Sequence, residues 1–329
     1  MTFRLQSTDG HEIICSLYTM KRGSMARKRA CMIVCKITII VCICLYVSSL
    51  MRPINYLQHH AALDVANGVP IAPLVERWQD CSQGIYLDVG TNVAVQIRKL
   101  YEPEQFPGAK VIPVFDKFFG RNRKKVCAVG FEPNSVHTAY LKTANAYFRK
   151  YSMPAYVFTE IAVWSHRGNT TFFTDPLAPK NRHEWGASLA LWHDVTQNSS
   201  TTVQLVDLHN FILDYVVSIV RDVQQKTGIA PPVIMKMDIE GAEFVVMPAL
   251  IVSGALCHVD IVYAEWHRDR MRLAMPGRSN MTASEMLSAF EALRATNNDC
   301  KVKFMNLDDE TYVDGTAIPF AHDRQGRGG

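Results

Sequence analysis

Four acids stand at the ends of apolar, strand-like runs: Asp88, Glu132, Asp238 and Glu265. A carboxylate at the end of a strand is costly unless it is solvated or paired, so several that converge mark a site. Gly90 follows Asp88 by two residues and lets the backbone turn closely against a ligand, and Asn92 can bond locally where a helical pattern begins. Glu132 precedes Pro133, which restricts it to extended backbone. A carboxylate held there suits a ribose diol, accepting two hydroxyl hydrogen bonds. The run 85–101, strand then turn then helix with an anion-friendly helix start, therefore reads as a holder of a nucleoside with a charged tail.

Proton transfer has its own candidates: Asp238, Glu240, Glu243, Glu265 and His267. His267 follows a strand by a short step and has an intrinsic pKa suited to a general base, or it is a surface or capping histidine. Glu243 is a base or a solvated first-turn acid favoured by the helix dipole. Glu240 is a base, a metal ligand or a structural acid. No Cys/His cluster has zinc spacing, and His183-Glu184-Trp185-Gly186-Ala187 lacks the second histidine of a metalloprotease, so no metal site is assigned. Trp185 and Trp192, in a segment that also holds His183, Gly186, Ser188 and His193, offer faces on which a sugar could stack, or they pack on the domain.

These residues require strands at 85–88, 126–132, 155–163, 233–238 and 259–265, alternating with helices at 93–101, 136–150, 206–223, 242–251 and 283–296. Such alternation predicts an α/β fold, a doubly wound, mostly parallel sheet of Rossmann-like type with helices on both faces. The pieces 301–306 and 311–318 are expected to close it as a C-terminal antiparallel hairpin. Two insertions, 102–125 with a basic end and 174–202, are lids, substrate surfaces or decoration.

The motifs YLDVGTN, GFEPN, TEIAVW, VQLVDLHNFI and KMDIEGAE together resemble the FkbM-type methyltransferases, a branch of the Rossmann-like (class I) S-adenosylmethionine-dependent enzymes, over roughly residues 81–267. The resemblance implies S-adenosyl-L-methionine as cofactor. Asp88, Gly90, Thr91 and Asn92 would then form the methionine-side turn, and Glu132, Pro133 and Asn134 the ribose side. Glu160 and Ala162 would lie near the adenine, and Asp238 would face methyl donor and acceptor, with His267 and Glu265 as further catalytic candidates. One position departs from the family: where it often has glycine, this chain has Ala94, tolerable at a helix–strand packing position.

The 329-residue chain is 48% hydrophobic and 20% charged, the balance of a globular protein. Its formal net charge of +4 is small, and much of the basic excess sits in the first thirty residues, so no nucleic-acid partner is expected. Residues 30–51 are apolar apart from Lys36 and reach roughly 20 residues, enough to cross a bilayer. Lys21, Arg22, Arg27, Lys28 and Arg29 precede them and the single Arg52 follows, so the positive-inside rule places the N-terminus in the cytosol. The expected organisation is a basic tail (1–29), a retained transmembrane signal anchor (30–51), a stem (52–80), a methyltransferase domain (81–320) and a loose tail (321–329). The domain would lie in the lumen of the endoplasmic reticulum or Golgi, on a single-pass type II membrane protein. Sequons at Asn169, Asn198 and Asn280 fit that side. Of nine cysteines, Cys81, Cys127, Cys257 and Cys300 fall in the lumenal part. If the strands beside them are neighbours, the pairs are Cys81–Cys127 and Cys257–Cys300; otherwise the four are buried free thiols.

The expected activity is O-methylation of a glycan or other secretory-pathway acceptor. The competing readings are a type II membrane glycosyltransferase, for which Asp238-Ile239-Glu240 is only a loose analogue of a D-x-D motif, and an inactive methyltransferase-like binding module.

Overall fold

The computed structural model describes residues 2–6, 12–16, 71–173, 189, 200–267, 282–296, 300–307, 309, 311 and 320. The chain divides into two compact units, Met1–Gln58 and His59–Gly329. In the first, β1 (Thr2–Gln6) and β2 (Glu12–Ser16) form an antiparallel hairpin. The reading of 1–29 as a plain basic tail contains no such hairpin; its signal is the Asp9-Gly10 pair between two short runs rich in apolar residues. The candidate anchor 30–51 lies outside the described residues. Among those described, no helix is long and apolar enough to cross a membrane.

The second unit opens with α1 (Ala72–Arg77), then β3 (Gly84–Val89), α2 (Val95–Tyr101), α3 (Ile112–Phe119), β4 (Val126–Glu132) and α4 (Thr138–Lys150). There follow β5 (Ala155–Thr159), β6 (Ile161–Trp164), β7 (Gly168–Phe173), β8 (Ser200–Asp207) and α5 (Leu208–Phe211), which runs through a π turn (Ile212–Val216) into α6 (Val217–Thr227). The rest is β9 (Val233–Met237), α7 (Glu243–Val252), β10 (Ile261–Ala264), α8 (Ala283–Thr296) and β11 (Lys303–Phe304).

Six strands form one sheet in the order β11-β10-β9-β3-β4-β5, with every neighbouring pair parallel. Counted along the chain this is 6-5-4-1-2-3, so the strand order reverses between β3 and β9. Every residue of β3 and β4 is buried, as parallel strands covered on both faces must be. Alternate residues feed two cores. Ile85, Leu87 and Val89 pack with Phe211, Phe244 and Met247 on one face. Tyr86 and Ala128 pack with Ile97, Phe115 and Phe148 on the other.

Several boundaries differ from the sequence reading. Residues 71–78, read as stem, belong to the folded unit: Ile71, Leu74 and Trp78 are buried in the first core, and Arg77 donates to the carbonyls of Ala155 and Asn145. The strand expected at 155–163 is two strands, because Glu160 takes a left-handed φ of 61°. β5 ends the main sheet, while β6 joins β8 and β7 in a separate three-stranded sheet. Insertion 102–125 is not a lid. Phe106, Val111, Phe115 and Phe119 are buried, and Arg123 donates to the Leu100 carbonyl at 3.0 Å. The C-terminal antiparallel hairpin is not seen among the described residues: β11 runs parallel to β10, and 312–318 lie outside them.

Both cysteine pairs form as the strand adjacency requires, Cys81–Cys127 and Cys257–Cys300. The first closes a separation of 46 residues across the start of β4. Replacing Cys81 and Cys127 together by alanine is expected to lower the unfolding free energy by about 2–4 kcal/mol. Urea unfolding would show this as a lower midpoint at constant slope. An unchanged midpoint, or free thiols in non-reduced peptide maps, contradicts the pairing.

Candidate functional site

The turn after β3 is built by contact with β4 and β9. Thr91 Oγ1 donates to the Asp88 carbonyl at 2.8 Å, and the Thr91 N–H donates to the Phe131 carbonyl at 3.1 Å. Gly90 has a φ of 85°, and a Cβ there would stand 1.7 Å from the Asp238 carbonyl oxygen. The two turns at the switch point thus touch backbone to backbone, which only glycine permits. The Asp238 N–H donates back to the Val89 carbonyl at 2.9 Å. Ala94, just before α2, is fully buried and left-handed at φ 58°. A glycine would hold this backbone without strain, whatever the packing. Holding an alanine there costs about 1–2 kcal/mol.

Glu132 ties β4 to that turn. Its Oε2 accepts the Asn92 N–H at 2.6 Å and its Oε1 the Asn134 N–H at 2.8 Å. The expected anion-friendly helix start is thus modified: the Asn92 N–H is already given to a carboxylate. Burial pushes the Glu132 pKa up to about 8, against the pull of both N–H groups and the Lys236 charge, while Asp88 adds to the rise. A carboxyl raised from 4.5 favours the fold at low pH. That contribution is full below about 4.5 and is lost as pH climbs through about 8.

The turn after β9 carries the second half of the site. Glu240 is left-handed at φ 57°, and Gly241 follows at φ 102°. Glu243, fully buried, accepts the Ile239 N–H at 3.0 Å and the Gly241 N–H at 2.8 Å. The alternative of a solvated first-turn acid is overturned: Glu243 is the clamp of the DIEG turn. Its Oε1 also meets His267 Nδ1 at 2.9 Å. On the other ring nitrogen, Nε2 lies 3.3 Å from Glu240, 3.5 Å from Glu265 and 3.8 Å from Asp238. Burial works against charge on this imidazole, but the Glu243 hydrogen bond and the charges of Glu243, Glu240 and Asp238 outweigh it and hold the pKa at about 9. Among the described residues, the ionisable groups that meet its ring nitrogens are carboxylates, which favour the protonated imidazole as long as no cation stands between them. The raised pKa weakens the reading of His267 as a general base. Lys236 Nζ bonds Asp238 Oδ2 at 2.9 Å and the Gly90 carbonyl at 3.2 Å.

These turns enclose one cavity with about 1090 Å³ of empty volume, open mouth included. Gly90, Thr91, Asn92, Glu132, Pro133 and Asn134 line one side. Asp238, Glu240 and Glu265 line the other, and Ala162, Val163, Phe172 and Leu189 add apolar wall. Three expected residues stand elsewhere. Asp88 is fully buried beneath the turn. Glu160 is exposed, accepts from Thr138 Oγ1 at 2.9 Å and does not line the cavity. His267 does not line the cavity but meets Asp238, Glu240 and Glu265, which do. The tryptophan segment with His183, Trp185, Trp192 and His193 lies outside the described residues. Sequence reasoning missed Lys236, whose signal was its place two residues before Asp238, on the same face of the strand. It also missed the grouping of Asp238, Glu240 and His267, which comes from two separate strand ends.

Gly90→Ala is expected to destabilise the unit by at least about 2 kcal/mol, because the left-handed backbone penalises any Cβ and the Asp238 carbonyl blocks it. Thermal and urea unfolding check this; a wild-type midpoint contradicts the backbone contact.

No family model matches the chain, and no curated protein or solved structure matches it either.

Proposed function

We propose that this chain is an S-adenosylmethionine-dependent methyltransferase that modifies an oxygen acceptor. The observation that carries the reading is the cavity at the reversal of strand order, where open α/β sheets bind nucleotide-like ligands. The residues fit such a cofactor. Gly90 and Asn92 line the cavity beside Glu132, whose carboxylate is oriented by two backbone N–H groups. Glu132 would accept the two ribose hydroxyls, the 90–92 turn would hold the amino-acid end, and Ala162 and Val163 would flank the base. The motif resemblance to FkbM-type enzymes supports the same assignment.

S-adenosylmethionine, when bound, supplies a methyl group activated by its sulfonium. The chain's part is to align the acceptor oxygen and to accept its proton. Asp238 and Glu265 face the cavity from the β9 and β10 ends and are the carboxylates available for that proton. Lys236 bonds Asp238 and orients it. The two disulfides support an oxidising compartment, and with residues 30–51 as anchor they favour a lumenal domain. A glycan or glycoconjugate acceptor follows from that location.

Calorimetry of the detergent-solubilised full chain with S-adenosylhomocysteine is expected to give saturable one-to-one binding. Glu132→Ala is expected to weaken it about tenfold or more, the worth of hydrogen bonds to a carboxylate. Absence of binding, or preference for a nucleotide sugar with Mn²⁺, rejects the methyltransferase in favour of another transferase or a binding module.

The same titration carries a pH signature. Glu132 holds its proton below about 8, whereas ribose hydroxyls donate to its ionised form, so binding at pH 7 is expected to release a proton. Heats measured in buffers of different ionisation enthalpy report that release, which Glu132→Gln should abolish. Equal heats in all buffers contradict the role of Glu132.

A further inference from the structure

We propose that Asp238, Glu240 and His267 bind a divalent cation at the acceptor side of the cavity. One ligand atom from each lies within 4.8 Å of the others. His267 Nε2 stands 3.3 Å from Glu240 Oε2 and 3.8 Å from Asp238 Oδ1. Ligands bonded to one cation at about 2.0–2.2 Å are held about 3–3.5 Å apart, so the cage needs little movement to close on an ion. The donor set, one imidazole nitrogen and carboxylate oxygens, suits a borderline-to-hard cation such as Mn²⁺.

A residue outside the ligand set points the same way. Glu243, fully buried, takes His267 Nδ1 at 2.9 Å and is itself held by the N–H groups of Ile239 and Gly241. This is a carboxylate–histidine–metal arrangement, in which the outer acid fixes the ring and turns the free nitrogen toward the ion. Asp238 divides its oxygens in a compatible way: Oδ2 goes to Lys236 at 2.9 Å, while Oδ1 faces His267. Glu265, 3.5 Å from Nε2, would supply a fourth ligand atom. With His267 a neutral ligand, Asp238, Glu240, Glu243 and Glu265 set against Lys236 leave three negative charges, which a dication would largely neutralise.

Asp238 and Glu240 line the cavity, so the ion's open positions would face the ligand. On the methyltransferase reading, on which this role rests, the cation would bind the acceptor hydroxyl and lower its pKa as a Lewis acid. The acceptor class is then an alcohol able to ligate a metal, a vicinal diol above all. The proton leaves the hydroxyl for a neighbouring carboxylate, the new bond is C–O, and the bond broken is methyl carbon to sulfur.

The test is Mn²⁺ titration of the full chain in detergent, followed by loss of the free-ion electron paramagnetic resonance signal, with and without S-adenosylhomocysteine. One Mn²⁺ per chain is expected. Glu240→Ala and His267→Ala should each weaken binding at least tenfold, and Glu243→Gln about 10–100-fold as an outer partner, with melting temperature verifying each fold. No stoichiometric Mn²⁺, or wild-type affinity in both Glu240→Ala and His267→Ala, overturns the site. Binding of S-adenosylhomocysteine without any Mn²⁺ site sinks the cation and leaves the methyl-donor reading standing. Mn²⁺ binding without S-adenosylhomocysteine keeps the cation site and removes the donor.

Discussion

The site depends on one buried carboxylate. Glu243 is sealed from solvent at the start of α7 and accepts from two backbone N–H groups of the preceding turn and from His267. A buried carboxylate without such partners would cost several kcal/mol, so the turn and the histidine must adopt their positions for the helix to pack. Glu240 pays a left-handed backbone in consequence, and its side chain comes to the imidazole. The backbone of that same turn meets Gly90, which carries the constraint across the switch point to β3. Through the hydrogen bonds of Thr91 and Asn92 it then reaches β4 and Glu132.

A second polar system holds the other side of the cavity. α2 has seven residues, six of them buried, and three of those six are Gln96, Arg98 and Lys99. Gln96 and Lys99 both donate to the Asp309 carbonyl, at 2.7 and 2.9 Å, and the Asp309 carboxylate takes the Val111 N–H at 2.9 Å. Arg98 pairs with Glu102 at 2.8 Å, and Glu102 also accepts from Tyr147 at 2.6 Å. Removing one partner of such a buried pair costs about 3–5 kcal/mol. Residues far along the chain, Asp309 and Phe320, thereby hold a helix whose first turn, Val95 and Gln96, lines the cavity. Phe320 also stacks on Tyr147.

The legible part of the fold was the part governed by local pattern. Apolar runs, four of them ending in an acid, gave the five main strands, their alternation with helices gave the parallel sheet, and strand adjacency gave both cysteine pairs. What stayed hidden was set by long-range contact. Glu160 sits inside an unbroken β-type run, and only its left-handed φ shows that the chain changes sheets there. Gln96, Arg98 and Lys99 have the composition of a solvated helix face, and nothing within α2 announces Asp309. Ala94 read as a packing position, and its left-handed φ has no signature in the residues around it.

The candidate site divides along the same line. Gly90, Glu132 and Asp238 were readable because each ends or follows its own strand. The acid–histidine cage was not, because its members come from the ends of β9 and β10 and meet only when those strands lie side by side. The two halves of the cavity also differ in charge. Around Glu132, one carboxyl is raised by burial and needs hydroxyl donors to ionise. Around His267, several carboxylates crowd one imidazole and need positive charge. On the proposed methyltransferase reading, a ligand rich in hydroxyls on one side and a cation or cationic centre on the other would answer both demands.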